Sequence, residues 1–168
     1  MPCACKKPVE DYPENITWGP LVWRILHGLA ERSGKQAVEY IQNDERRFWL
    51  SMLKVMEQML PCDTCRTHYA LWVKTNPYAS ISTIPYGTFR NFIRKWLFDL
   101  HNDVNSRTGK EAFLFENLED IYLRMPITPS WKQLEPIINV AISLNGISLM
   151  PWRKWLGFIR SLQGLYGI

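Results

Sequence analysis

From Trp18 onward the apolar positions recur at helical intervals along most of the chain. Trp18, Leu21, Val22, Ile25, Leu26 and Leu29 form one continuous stripe, the spacing of an amphipathic helix. Thr17 or Gly19 is a candidate cap for it, Pro20 suits its first turn, and Gly34 closes it. The pattern predicts a second helix over 44–60, with Phe48, Met52, Val55, Met56 and Met59 on its inner face. Pro61 interrupts the chain and opens a third helix to about residue 74, and a Pro-, Ser- and Thr-containing loop follows over 76–85. A fourth helix carries Phe89, Phe92, Ile93, Trp96, Leu97, Leu100 and Val104 at helical spacing until Gly109. A short fifth fits 118–124. Beyond Pro126-Ile127-Thr128-Pro129 lie two more amphipathic segments, 131–144 and 151–162. No stretch alternates with period two and nothing repeats. The reading is all-α: a polar, proline-containing flexible arm over 1–16, a helical bundle over 17–125 and a helical extension over 126–168.

Composition narrows the partners. With 46% hydrophobic and 21% charged residues the chain is an ordered domain. The net charge is +4, but the longest basic runs are Lys6-Lys7 and Arg46-Arg47, which argues against a nucleic-acid partner. The most apolar stretch, 137–150, contains Asn139, Asn145 and Gly146 and is too short to span a bilayer, and no apolar signal segment opens the chain. The expectation is a protein of a cytosol-like compartment with no membrane partner. Four cysteines are too few for a disulfide-built scaffold, and eight tryptophans point to a flat, stackable ligand or an aromatic core.

Candidate chemistry centres on Cys62-Asp63-Thr64-Cys65, a C-x-x-C directly behind Pro61 at the start of a predicted helix. Free backbone N–H groups and the helix dipole favour a thiolate there, and Arg66 adds positive charge. Cys62 is expected to be the more exposed sulfur, with Cys65 pointing toward whatever the bundle encloses. The same motif is half of a zinc site. Cys3 and Cys5 form only a C-x-C, and His27, His68 and His101 stand on separate helices, so a zinc-stabilised interaction module using Cys62 and Cys65 is the alternative. A thioredoxin-like fold needs a strand before the motif, and the pattern there is helical. Trp23 and His27, and likewise His101 and Asn105, are i, i+4 neighbours that a bundle brings around a planar ligand, with Arg107 and Lys110 available for phosphates.

Three motifs in this order, Trp18-Gly19-Pro20-Leu21-Val22-Trp23 continuing to His27, Pro61-Cys62-Asp63-Thr64-Cys65, and His101-Asn102-Asp103-Val104-Asn105 with Gly109-Lys110, resemble the Erv/ALR family of FAD-dependent sulfhydryl oxidases. The resemblance covers about residues 15–125. It implies a four-helix FAD-binding bundle with a short fifth helix, usually a homodimer. It implies that Cys62 exchanges with incoming thiols and that Cys65 passes electrons to the flavin and on to O2, yielding hydrogen peroxide. Cofactor contacts are then expected at Trp18, Gly19, Trp23, His27, His101, Asn102, Val104, Asn105, Arg107, Lys110, Phe113 and Tyr122, and no metal site is assigned. Substrates are thiol-containing proteins or a thioredoxin-like carrier. By the same resemblance Cys3 and Cys5 form a shuttle disulfide on a mobile arm.

The departures from the family are informative. Pro20 stands where cellular members often carry arginine. Phe98 and Phe115 occupy the two positions of a structural disulfide, so an apolar contact replaces the cross-link and the two rings are expected to touch. Gly-Pro, the missing disulfide and the absence of a targeting signal favour a viral-type enzyme of host cytoplasm or virion, with the mitochondrial intermembrane space as the alternative. The extension has no counterpart in the minimal family domain. Its stripe of Trp152, Trp155, Leu156, Ile159 and Leu162 is expected to pack back on the bundle or form a dimer face, and the rival reading makes Trp131, Trp152 and Trp155 an exposed interaction surface.

Overall fold

The stripe beginning at Trp18 is buried along its whole length in a computed structural model that describes residues 11–168. It lies on α1 (Asn15–Arg32). The helix starts earlier than its apolar pattern, so neither Thr17 nor Gly19 is its cap and Pro20 sits inside it rather than in its first turn. Helix α2 (Glu39–Met59) likewise begins before residue 44, its first turn being too polar to register as amphipathic. Its buried face is Glu45, Trp49, Met52, Leu53, Met56 and Met59, so Trp49 and Leu53 replace the predicted Phe48 and Val55, which are half-buried.

Helix α3 (Asp63–Thr75) and α4 (Tyr86–Arg107) follow, with a 3-10 turn at Ala79–Ser82 between them. Gly109 ends α4's run in the left-handed region, φ +70°, where a residue without Cβ is unstrained. A further 3-10 turn, Phe115–Asn117, leads into the short α5 (Leu118–Tyr122). The Phe98 and Phe115 rings meet edge to face at 5.3 Å, the contact expected from the sequence.

Helices α6 (Ile127–Ser143) and α7 (Leu149–Tyr166) belong to the same core. Helix α6 runs along α1 and α7 along α2. Gly28 makes the first approach possible, because a Cβ there would meet Ile127 Cδ1 at 2.6 Å. Trp131, Trp152 and Trp155 are buried, at 7%, 2% and 0% exposure, so they form no exposed interaction surface. They pack back on the bundle.

Polar ties hold these elements in register. Buried Glu31 on α1 pairs with Arg90 (2.8 Å) and Arg94 (2.7 Å) on α4. Buried Glu45 on α2 accepts from the Gly34 N–H (3.0 Å), from the Tyr166 hydroxyl of α7 (2.6 Å) and from the Tyr86 hydroxyl of α4. Removing the shared acceptor leaves two phenols and an amide without it. Glu45→Ala is therefore expected to destabilise the protein by about 3 kcal/mol, read as a lower urea midpoint at unchanged m-value. A midpoint equal to wild type would show that water replaces the carboxylate there. Among the described residues no helix is long and apolar enough to cross a membrane.

Candidate active site

Pro61 stops α2, and the chain re-enters a helix two residues later with Cys62 as the N-cap of α3. The Cys62 sulfur accepts from the Cys65 backbone N–H at 3.2 Å and lies 3.2 Å from the Thr64 hydroxyl. A disulfide joins Cys62 to Cys65, with Cα atoms 5.1 Å apart. The Asn15 amide of α1 donates to Cys65 Sγ at 3.4 Å. Cys62 therefore occupies the position where helix-end N–H groups stabilise a thiolate. Arg66 does not add free positive charge beside it, contrary to the sequence reading. Its guanidinium is neutralised by Asp63, one turn earlier, and donates to the Leu60 carbonyl.

Cys65, but not Cys62, lines a cavity of about 780 Å³, a size suited to a large organic ligand. Of the residues proposed from the sequence, Trp18, Gly19, Trp23, His101, Val104, Asn105, Arg107, Lys110 and Tyr122 line this cavity, and His27, Asn102 and Phe113 stand behind them. Helices α1, α4 and α5 build a ring cluster there. Trp23 stacks on His101 with centroids 3.9 Å apart and planes within 8°. His27 Nε2 lies 3.1 Å from His101 Nδ1, and the His27 ring stacks 4.6 Å from that of Tyr122. Asn102 clamps the loop after α4 at two points: its amide donates to the Phe113 carbonyl and its oxygen accepts the Phe113 N–H, both at 3.2 Å.

Burial lowers the His27 pKa to about 3, with smaller contributions from the charges of His101 and Arg94. Burial and Lys110 lower that of His101 to about 4. Both rings are neutral at pH 7, so their hydrogen bond is a donor–acceptor pair of imidazoles. Basic side chains reach the same cavity from the C-terminal turn of α4 and the residues after it, Arg107 and Lys110.

The sequence reading missed Asn15, hidden in the polar arm, and Met56, Leu60 and Tyr69, which look like ordinary core. His68, weighed from the sequence only against a zinc site with Cys62 and Cys65, also lines the cavity, and its Nε2 sits 2.6 Å from Asp103 Oδ2, a carboxylate also held by Arg107 Nε at 2.8 Å. Cys62 and Cys65 are joined in a disulfide and so offer no thiolate to zinc, and among the described residues no three Cys, His, Asp or Glu side chains are grouped for a metal. Cys3 and Cys5 lie outside the described residues.

Comparison with known proteins agrees with the motifs. A protein of Frog virus 3 named as an FAD-linked sulfhydryl oxidase is 29% identical over 106 residues, which is 62% of this chain and 65% of that protein. The mitochondrial FAD-linked sulfhydryl oxidase erv1 of Schizosaccharomyces pombe is 29% identical over 101 residues, 60% of this chain and 50% of that one. A protein of Invertebrate iridescent virus 6, also named as an FAD-linked sulfhydryl oxidase, is 28% identical over 93 residues, 55% of this chain and 80% of that one. The chain thus spans under two thirds of the first two relatives. No solved structure is significantly similar. The Erv1/Alr family profile matches residues 20–123, a span from within α1 through α5 that builds most of the cavity and the disulfide beside it, and the chain belongs to that family.

Proposed function

We propose that this protein is an FAD-dependent thiol oxidase that makes disulfides in substrate proteins. The observation that carries the reading is the asymmetry of the Cys62–Cys65 pair: one sulfur caps α3 outside the cavity, and the other faces an aromatic, cation-edged cavity. The donor set suits FAD. Trp23, His101 and Tyr122 offer ring faces, Trp18, Gly19, Val104 and Asn105 wall the site, and Lys110 and Arg107 match a diphosphate, while His27, Asn102 and Phe113 support the rings from behind. When bound, FAD supplies the electron sink, taking a pair from thiols and delivering it to O2 as hydrogen peroxide.

The chain's own cysteines carry the exchange. A substrate thiolate attacks Cys62 Sγ, the Cys62–Cys65 bond breaks, and the electron pair leaves on Cys65. The second substrate thiol then attacks the mixed disulfide, which closes the substrate disulfide and frees Cys62. Two protons leave the substrate for solvent. Cys3 and Cys5 act upstream as the shuttle that collects electrons from a protein dithiol or a thioredoxin-like carrier. Two of the similar proteins come from viruses and one is named as mitochondrial. The viral-type features of this chain favour host cytoplasm or virion as its place of action, and a homodimer as its working form.

Purified protein is expected to bind one FAD per chain and to consume one O2 per dithiothreitol oxidised, with peroxide formed in equal amount. Protein that takes up no FAD and consumes no oxygen would overturn the reading. Replacing Cys3 and Cys5 together by serine is expected to slow oxidation of a reduced protein substrate severalfold while sparing dithiothreitol. Equal slowing of both would remove the shuttle.

A further inference from the structure

Two segments lie outside the family-matched span of 20–123, and they meet beside the disulfide. Tyr12, the only aromatic among residues 1–16, lays its ring on Gly146 in the turn between α6 and α7. A Cβ at Gly146 would stand 2.1 Å from Tyr12 Oη and 2.3 Å from Cε2, so only glycine leaves room for the phenol. The turn itself is well fixed: the Gly146 N–H donates to the Ala141 carbonyl at 2.9 Å, and Asn145 takes φ 58°. Arg66 ties the C-x-x-C segment to the same place, since its guanidinium holds Leu60 and Asp63 on either side of Cys62 and reaches the Gly146 carbonyl at 3.5 Å. Pro13 biases Tyr12, the residue before it, toward extended backbone.

We infer that the α6–α7 turn is the docking seat of the N-terminal arm, and that it aims Cys3 and Cys5 at Cys62. The inference rests on the shuttle reading above and gives the C-terminal extension a part in it. Cys5 stands seven residues before Tyr12 and Cys3 nine, reaches of at most about 25 Å and about 32 Å from the anchor. The exchange balances within the chain. Cys5 thiolate attacks Cys62 Sγ and Cys65 leaves with the electron pair; Cys3 thiolate then attacks Cys5, closing the Cys3–Cys5 disulfide and freeing Cys62. The arm dithiol is oxidised and the Cys62–Cys65 pair reduced, with two protons released.

The seat works by direction more than by length. Without it the tether runs from α1, ten residues from Cys5 instead of seven, and that lengthening alone lowers the effective concentration by less than about twofold. The test uses full-length, FAD-loaded protein carrying Cys3→Ser and Cys65→Ser, which leaves one thiol at each site. Diamide, an azo oxidant that accepts the two electrons, joins Cys5 to Cys62, and the bridge is followed by peptide mapping. Gly146→Ala displaces the phenol from one side and Tyr12→Ala removes it from the other. Each is expected to slow bridge formation by more than twofold, with no further loss when combined. A slowing of twofold or less in both variants overturns the seat while leaving the shuttle standing. A parent protein that never forms the bridge overturns the shuttle, and the seat with it. Tyr12→Ala keeps the test valid should Gly146→Ala disturb the turn.

Discussion

Cys65→Ser is expected to reduce dithiol oxidation to background, a loss on the order of a thousandfold or more, while FAD remains bound. The reason is placement. Cys65 alone of the pair faces the cavity, so electrons that reach Cys62 have no other sulfur through which to enter it. A serine oxygen neither forms a disulfide nor leaves as a stable anion, so the route stops at the first exchange. That first exchange should survive. With Cys62 loaded as a mixed disulfide to an aromatic thiol, an added thiol should still release the aromatic thiolate, because that exchange takes place on Cys62 Sγ alone. Cys62→Ser should instead abolish both reactions. Beyond the disulfide, the Cys65 sulfur accepts only from the Asn15 amide, and the Cys62 sulfur meets only the Cys65 N–H and the Thr64 hydroxyl, so neither change should cost much stability. Measured oxygen consumption that persists in Cys65→Ser would mean that the cavity-facing sulfur is not the route.

What could be read from the chain alone divides along physical lines. Burial that repeats every helical turn is a local signal, so the inner faces of α1 and α4 are visible in the spacing of Trp18 to Leu29 and of Phe89 to Leu100. Helix starts are less visible, because nothing apolar marks the first turns at Asn15 and Glu39 and no side chain caps them. The ring cluster was legible because Trp23 and His27 share a face one turn apart, as do His101 and Asn105. Other contacts depend on partners far along the chain. Glu45 reads as one more surface carboxylate of α2 until Tyr86 and Tyr166 arrive from 41 and 121 residues away. Arg66 reads as a thiolate's neighbour, although Asp63, three residues before it on the same helix, was the available sign that its charge is spent locally. Residues such as Met56 and Tyr69 serve both core and cavity, and composition cannot separate those roles.

The two paired imidazoles give the protein an acid limit. In an unfolded chain each titrates near 6.5, whereas in the fold His27 holds a value of about 3 and His101 about 4, chiefly because burial penalises the charged ring. Between those values and 6.5 the unfolded chain binds protons that the folded chain refuses. Stability therefore falls as pH drops below about 6.5, with a limiting slope for two protons of about 2.7 kcal/mol per pH unit down to about 4, and keeps falling to about 3 through His27 alone. A first proton still leaves one N–H pointing at one lone pair between the rings. A second sets two N–H groups against each other, in a cluster that already faces Arg94 and Lys110. The same rings back the proposed flavin site, so acid release of FAD should follow the same window. Urea midpoints at pH 7.5 and 5.0 check this. Wild type should lose several kcal/mol more across that interval than the double variant His27→Gln, His101→Gln, whose amides do not titrate. Equal losses in the two proteins would assign the acid sensitivity to carboxylates elsewhere and remove the histidine pair from the account.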